Sequence, residues 1–468
     1  MPEFAMTMAG SPVRTEALFD VLDPATGEVC GRAPDCTGEQ LDAAVAAAAG
    51  AWPAWRSDAA YRRRCLAEAA VVLRGAAGGL AALLTMEQGK PLRESATEVA
   101  RAAARFEYFA GLEYGPQVVE DGDEWRVEVH RRPFGPVAAL VPWNLPLQLA
   151  AAKAVPALAT GNTVVLKPSP HTPLATLELG RLLAGVFPPG VLNVVSGRAD
   201  LGRLLVRHPG IRKVNFTGST ATGQSVAAAA APDLKRLTLE LGGNDAAIVL
   251  DDADVERVAE GVFGPAFANC GQLCLAIKRV YVPDALHDDL VAALAARAGQ
   301  LTVGNGADPA TGMGPVNNRA QFDRVTGLVA DALAHGARAA AGGHALDGPG
   351  TFHAPTVLDG LTDGVRVVDE EQFGPVLPVI RYRDTEDALA RANNSPYGLA
   401  GSVWGTDLDR AASIAERMEC GTAWVNAHIR MTFTEPFAGS KWSGLGVSGG
   451  EWSLHSHTEP FVVHRPKK

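Results

Sequence analysis

A chain of 468 residues, 47% hydrophobic and 20% charged, carries enough apolar material for two or three domains with sizeable cores. Its formal charge of -10 leaves no basic surplus to neutralise phosphates, which excludes nucleic acid as a main partner. No uninterrupted apolar run is long enough to span a bilayer; Ala150 to Ala159 comes nearest and carries Lys153.

The opening stretch, Met1 to Met8, holds three methionines. It reads as an added leader ahead of a start at Met6 or Met8 and is set aside from the fold. Phe19 to Gly31 has the pattern of a hairpin, two short strands around Asp23-Pro24-Ala25-Thr26-Gly27. Helical spacing begins after Thr37, a plausible N-cap, and runs to Ala49. It returns over Arg62 to Gly89 and Leu92 to Tyr114, in alanine-rich stretches with charges at helical intervals.

Trp125 to Arg132 switches to a period of two, Val127 and Val129 alternating with Arg126, Glu128 and His130. Such a strand, open to solvent on one face, is expected to be an arm that pairs with another subunit, together with Glu459 to His464. Short apolar strands then alternate with helices: Val137 to Val141, Thr163 to Leu166, Leu192 to Val195 and Lys213 to Phe216 are each followed by a helical segment. A second series runs from Ala246 to about Val425. The fold class is α/β: two doubly wound domains, a Rossmann-like one and a second, with a small β arm. Ligands are expected in the cleft at the carboxyl ends of the strands. The tail Arg465-Pro466-Lys467-Lys468 is read as a solvated terminus.

Six scattered cysteines, Cys30, Cys36, Cys65, Cys270, Cys274 and Cys420, show no paired metal spacing, so no metal site is expected. No secretory signal is recognised, so a cytoplasmic location with reduced thiols is expected. Cys274 ends the stretch Phe267-Ala268-Asn269-Cys270-Gly271-Gln272-Leu273-Cys274, and upstream lies Leu239-Glu240-Leu241-Gly242-Gly243-Asn244. A thiol can add to a carbonyl carbon, and a carboxylate can activate the water that removes the resulting acyl group. The two together point to covalent catalysis at the aldehyde or acyl level. Taken singly, either residue is as consistent with an inert buried thiol or a solvated carboxylate.

Three further segments follow strands. Phe216-Thr217-Gly218-Ser219-Thr220-Ala221-Thr222-Gly223 opens a helix, where backbone amides can hold an anion; a structural turn is the alternative. Pro142-Trp143-Asn144-Leu145-Pro146 offers an asparagine amide to a developing oxyanion, or to a turn cap. Lys167-Pro168-Ser169-Pro170 offers a lysine to a ribose or phosphate, or to solvent.

These segments, with Glu371-Gln372-Phe373-Gly374-Pro375 and Pro436-Phe437-Ala438-Gly439-Ser440-Lys441, resemble in order and spacing the NAD(P)-dependent aldehyde dehydrogenase superfamily, from about Asp20 to the end of the chain. The resemblance implies oxidation of an aldehyde to a carboxylic acid through a cysteine thiohemiacetal and thioester. It implies Cys274 as nucleophile, Glu240 as general base and Asn144 as oxyanion donor. Pro142, Trp143, Lys167, Ser169, Gly218, Ser219, Gly223, Leu241, Glu371 and Phe373 are implied at the cofactor. Leu145, Gln148, Leu149, Leu273, Leu275, His428, Arg430 and Phe437 are implied at the substrate, with Arg430 a candidate partner for a substrate carboxylate.

The implied domains are 1–121 with 134–242 for the cofactor, 243–440 for catalysis, and 122–133 with 441–468 as an oligomerisation arm of a homodimer or homotetramer. Pro170 stands where many members carry a ribose-gripping glutamate, which leaves NADP possible beside the expected NAD. Ala438 and Trp442 also depart from the usual pattern. The alternatives are an acylating, coenzyme A-dependent semialdehyde dehydrogenase, disfavoured by Glu240, and a non-catalytic relative, disfavoured by Cys274 with Glu240.

Overall fold

The computed structural model describes residues 3–467; Met1, Pro2 and Lys468 lie outside the described residues. Two sheets organise the chain. The first has eight strands in the order Ser11–Val13, Met6–Met8, Leu192–Val194, Thr163–Lys167, Pro136–Leu140, Lys213–Thr217, Arg236–Glu240 and Gly444–Leu445. The middle five are parallel, and in chain order they lie 3-2-1-4-5. Strand order reverses between Pro136–Leu140 and Lys213–Thr217, so the segments that follow them open a crevice at the carboxyl edge.

The second sheet runs Arg338–Ala341, Thr356–Leu361, Val376–Tyr382, Ile277–Pro283, Asp245–Val249, Ala400–Trp404 and Thr422–Val425; only its first pair is antiparallel. Along Asp245–Val249, Ala246 and Ile248 enter one apolar cluster while Ala247 and Val249 enter another. Both faces are covered, and a continuous apolar strand is what that burial requires.

Met6–Met8, set aside from the fold in the sequence reading, is part of the first sheet. It pairs with Ser11–Val13 and with Leu192–Val194, and Met6 is wholly buried. The helical stretch read over Arg62 to Gly89 is two helices, Ala59–Gly75 and Ala77–Gln88, bent by 71°. Gly75, Gly78 and Gly79 supply little helix propensity there, and Ala76 leaves helical geometry with ψ 5°. Thr37 does cap the helix Gly38–Ser57, in a reciprocal box with Gln40.

The small sheet joins Thr458–Pro466, Trp125–Pro133 and Gln117–Asp121, all antiparallel. It takes in Gln117–Asp121, which lies before the 122–133 boundary. Of the segment 441–468, Gly444–Leu445 instead extends the first sheet beside Arg236–Glu240, and helix Gly450–Ser456 packs on helix Pro146–Ala159. Backbone pairing and packing partners, absent from local pattern, set these edges.

Candidate active site

Cys274 sits on the loop between helix Val255–Phe267 and strand Ile277–Pro283. Three successive residues of this loop have left-handed backbone: Asn269 at φ 49°, Cys270 at 59° and Gly271 at 68°. Asparagine tolerates that region and cysteine does so only under constraint. At Gly271 a Cβ would lie 2.1 Å from the Gly374 carbonyl oxygen, so no other residue fits. The constraint comes from hydrogen bonds. Asn269 N donates to Glu94 Oε2 at 3.0 Å, Gln272 Nε2 to Asn269 O at 2.9 Å, and Asn317 N to Gln272 Oε1 at 2.8 Å. Lys278 Nζ binds the carbonyls of Gly271 and Leu273 at 3.0 and 2.8 Å.

From the other domain come Asn144, after strand Pro136–Leu140, and Glu240, at the end of Arg236–Glu240. Asn144 is buried; its Nδ2 donates to Gln272 O at 2.9 Å, which leaves its second N–H free, and its Oδ1 has no partner. Glu240 is bonded by Thr217 Oγ1 at 3.2 Å and, at shorter range, by Ser448 Oγ. Lys153 Nζ lies 4.0 Å from its Oε2 and donates to Asn215 Oδ1 at 2.9 Å. Burial and the carboxylates of Glu240, Glu371 and Asp245 push the Cys274 thiol up to about 12. Its resting form at neutral pH is therefore the thiol.

Cys274, Asn144 and Glu240 line one cavity of about 400 Å³. Leu145, Gln148, Leu149, Leu273, Leu275 and Phe437, all expected at the substrate, line it too. His428 and Arg430 do not, which corrects their expected place. His428 is buried behind the wall, its Nδ1 3.0 Å from Ser402 Oγ and its Nε2 3.0 Å from the Leu275 carbonyl. Arg430 is exposed, and its backbone carbonyl accepts from Trp424 Nε1. The loop that carries them turns Met431 and Phe433 inward instead.

Sequence reasoning missed Arg101 and Arg105, which reach the cavity from helix Leu92–Ala110, and Ser448 beside Glu240. The i, i+4 spacing of two arginines was the available signal, but the same spacing marks any solvated helix face.

On the opposite side of Glu240, the helix Thr220–Ala230 starts from Ser219, whose Oγ caps Thr222 N at 3.3 Å. Gly223 lets that helix settle on Leu241, since a Cβ would come within 2.4 Å of its side chain. Gly242 passes under the Glu371 carboxylate, where a Cβ would meet Oε2 at 2.3 Å. Among the described residues Glu371 accepts one hydrogen bond, from Gly243 N at 3.0 Å, and burial raises its pKa to about 7. Phe373, at φ 50°, stands perpendicular to Trp143 with ring centroids 5.3 Å apart. Pro142, next to Trp143, is half-buried. Lys167 is buried with Nζ on the Pro168 carbonyl, and burial lowers its pKa to about 8. Ser169, half-buried beyond it, accepts from His171 N.

A helix start, a buried lysine and a half-buried carboxylate with a free oxygen suit a phosphate-linked nucleotide with ribose hydroxyls. The residues present thus fit a dinucleotide.

Two α/β sheets meeting at a cleft, with a thiol offered from one side and an amide and a carboxylate from the other, define a two-domain enzyme of the dinucleotide-using kind. Comparison with known proteins then gives the family. The aldehyde dehydrogenase family model matches residues 12–463, and the chain belongs to that family. It is an oxidoreductase acting on aldehydes. It is 38% identical over 454 residues to the NADP-dependent succinate-semialdehyde dehydrogenase of Escherichia coli, covering 94% of this chain and 93% of that protein. It is also 38% identical over 465 residues to a betaine aldehyde dehydrogenase of Cereibacter sphaeroides, covering 97% and 95%. Among solved structures, the NAD+ complex of an aldehyde dehydrogenase from Bacillus cereus superposes with a TM-score of 0.97 at 34% identity, covering 100% of this chain and 97% of that one.

Proposed function

We propose that the protein oxidises its aldehyde to a carboxylic acid through a covalent intermediate on Cys274, with NAD as hydride acceptor and NADP also used. The observation that carries this reading is the convergence of Cys274, Glu240 and Asn144, remote in sequence, on one cavity. Lys167 and Ser169 would hold the adenosine end and Gly218 and Ser219 the pyrophosphate. Glu371 would hold the second ribose, and Pro142, Trp143, Gly223, Leu241 and Phe373 would shape the surrounding walls. When bound, the oxidised nicotinamide accepts a hydride and brings a positive charge that favours the thiolate. No carboxylate stands at Pro170 to repel a ribose 2′-phosphate, which supports use of either cofactor.

The Cys274 thiolate adds to the carbonyl carbon, and the carbonyl electron pair moves onto oxygen. The Asn144 Nδ2–H and the Cys274 backbone N–H stabilise that oxyanion. Loss of hydride leaves a thioester. Glu240 then takes a proton from water as the water adds to the thioester carbon. The C–S bond breaks, the acid leaves and the thiolate returns.

The test is product analysis with and without coenzyme A. Free acid is expected in both, and a coenzyme A thioester would overturn the hydrolytic role of Glu240. Cys274→Ala should remove oxidation, by on the order of a million-fold; retained turnover would overturn the covalent route.

We also propose a homodimer or homotetramer joined through the small sheet. Val119, Trp125, Phe461 and Val462 lie exposed on it, an apolar surface that a monomer would leave in water. Sedimentation should return more than one chain per particle.

A further inference from the structure

Within the candidate active site, the acidic groups that face the cavity are already engaged. Glu98 is ion-paired with Lys90 and accepts from Leu147 N and Gln148 N at 2.8 and 3.1 Å. Glu94 accepts from Asn269 N, Glu435 from Thr432, and Glu240 from Thr217 and Ser448. Two cations on the same wall are not engaged. Arg105 forms no hydrogen bond or salt bridge among the described residues; its Nε is shielded from solvent and unpartnered. Arg101, one helical turn earlier, has among the described residues only a long contact of 3.5 Å to the Met431 carbonyl. Both guanidinium groups lie over the Phe433 ring, at 5.7 Å for Arg101 and 5.2 Å for Arg105.

Like charges at i, i+4 repel, and the half-buried Arg105 has its Nε shielded without an acceptor, which is costly, while its other nitrogens are left for a ligand. Burial brings the Arg105 pKa down to about 10, with the Glu240 charge opposing that fall and Arg101 adding to it. Arg105 nevertheless stays cationic at neutral pH. A planar anion entering the cavity would meet donors of both arginines, and a carboxylate matches the guanidinium fork. A quaternary ammonium would meet two positive charges that already lie against the Phe433 ring that could attract it.

We propose that Arg105, assisted by Arg101, selects aldehydes that carry a carboxylate at the end remote from the carbonyl, the semialdehydes of dicarboxylic acids. The proposal rests on the aldehyde-oxidising reading and deepens it. It moves the carboxylate partner from Arg430, on the outer surface, to the helix that floors the cavity.

The test compares kcat/KM within each preparation for 4-oxobutanoate, 5-oxopentanoate and 6-oxohexanoate against butanal, pentanal and hexanal, with betaine aldehyde as the cationic probe. For the unaltered protein the carboxylated compound should be preferred at one or more chain lengths, and betaine aldehyde should be the poorest substrate. In Arg105→Gln that preference should fall about 10- to 100-fold, Arg101→Gln should lower it less, and Arg105→Lys should retain part of it. A preference unchanged in both glutamine variants, or neutral aldehydes preferred at every length, overturns the proposal.

Calorimetric binding of succinate gives a readout that needs no turnover: binding that weakens in Arg105→Gln supports the anion site, and equal binding in both proteins overturns it. If no aldehyde of any charge is oxidised, the failure belongs to the oxidation reading, and succinate binding still decides the site.

Discussion

The two sides of the catalytic cleft are built in opposite ways. Cys274 is carried on a loop with three consecutive left-handed residues, tied down by Glu94, Asn317 and Lys278. Glu240 ends a regular parallel strand in unbroken register with Lys213–Thr217, and its carboxylate is held by two hydroxyls and a distant Lys153 ammonium at 4.0 Å. The thiol side spends conformational freedom to fix one atom. The carboxylate side keeps a side chain that can reorient with the loss of two hydroxyl hydrogen bonds and a long contact to Lys153. The difference fits the proposed chemistry: attack on a carbonyl demands a placed nucleophile, whereas a base must reach a water that acts only once the thioester has formed.

That contrast can be broken at either side. The largest effect is expected for Glu240→Gln, whose steady-state turnover should fall about 100- to 10,000-fold. A rapid first equivalent of reduced nicotinamide should survive, seen by stopped-flow absorbance. A lost burst would mean that Glu240 also acts on the thiol, and the two sides would then not be separable.

Next is the thiol itself. With its pKa pushed up to about 12, the thiolate fraction climbs throughout the range below that value. In the protein without cofactor, iodoacetamide modification of Cys274, followed by peptide mapping, should therefore quicken about tenfold per pH unit from pH 7 to 10. A plateau below pH 9 would show that the resting site already stabilises the thiolate.

Gly271→Ala should lower stability by roughly 2 kcal/mol or more, since a left-handed φ and the Gly374 carbonyl both oppose a Cβ. A melting temperature within a degree of the parent would contradict the rigidity assigned to that side. The smallest effect is expected at Ser448→Ala. Removing one of two hydroxyl donors, worth about 1 kcal/mol, should slow deacylation about fivefold and leave the burst intact.

Much of this site was legible along the chain. Cys274, Glu240 and Asn144 stand in short segments whose order and spacing carry the family resemblance, and the alternation of short apolar strands with helices announced two α/β units. Other features were not. His428 sits in the same loop as residues that line the cavity, yet its ring turns to Ser402 and Leu275, because backbone at Asn426 and Ile429 is left-handed on either side of it. Glu98 looks like any helical surface glutamate, but it is buried, paired with Lys90 and capping the start of helix Pro146–Ala159. Met6–Met8 has no strand signature beyond three residues, and pairing with Ser11–Val13 and with the edge of Leu192–Val194 makes it a strand.

By itself the sequence determined the class of fold and the family, because hydrophobic period and the order of short motifs are properties of the chain alone, and the family resemblance made Cys274, Glu240 and Asn144 the candidates for chemistry. Tertiary structure decided which charges are satisfied. Glu98 and Arg105 lie seven positions apart on one helix, and nothing in their spacing tells the paired carboxylate from the unpaired guanidinium. That distinction depends on Lys90, Phe433 and the first turn of helix Pro146–Ala159, groups brought together only when the chain closes around the cavity.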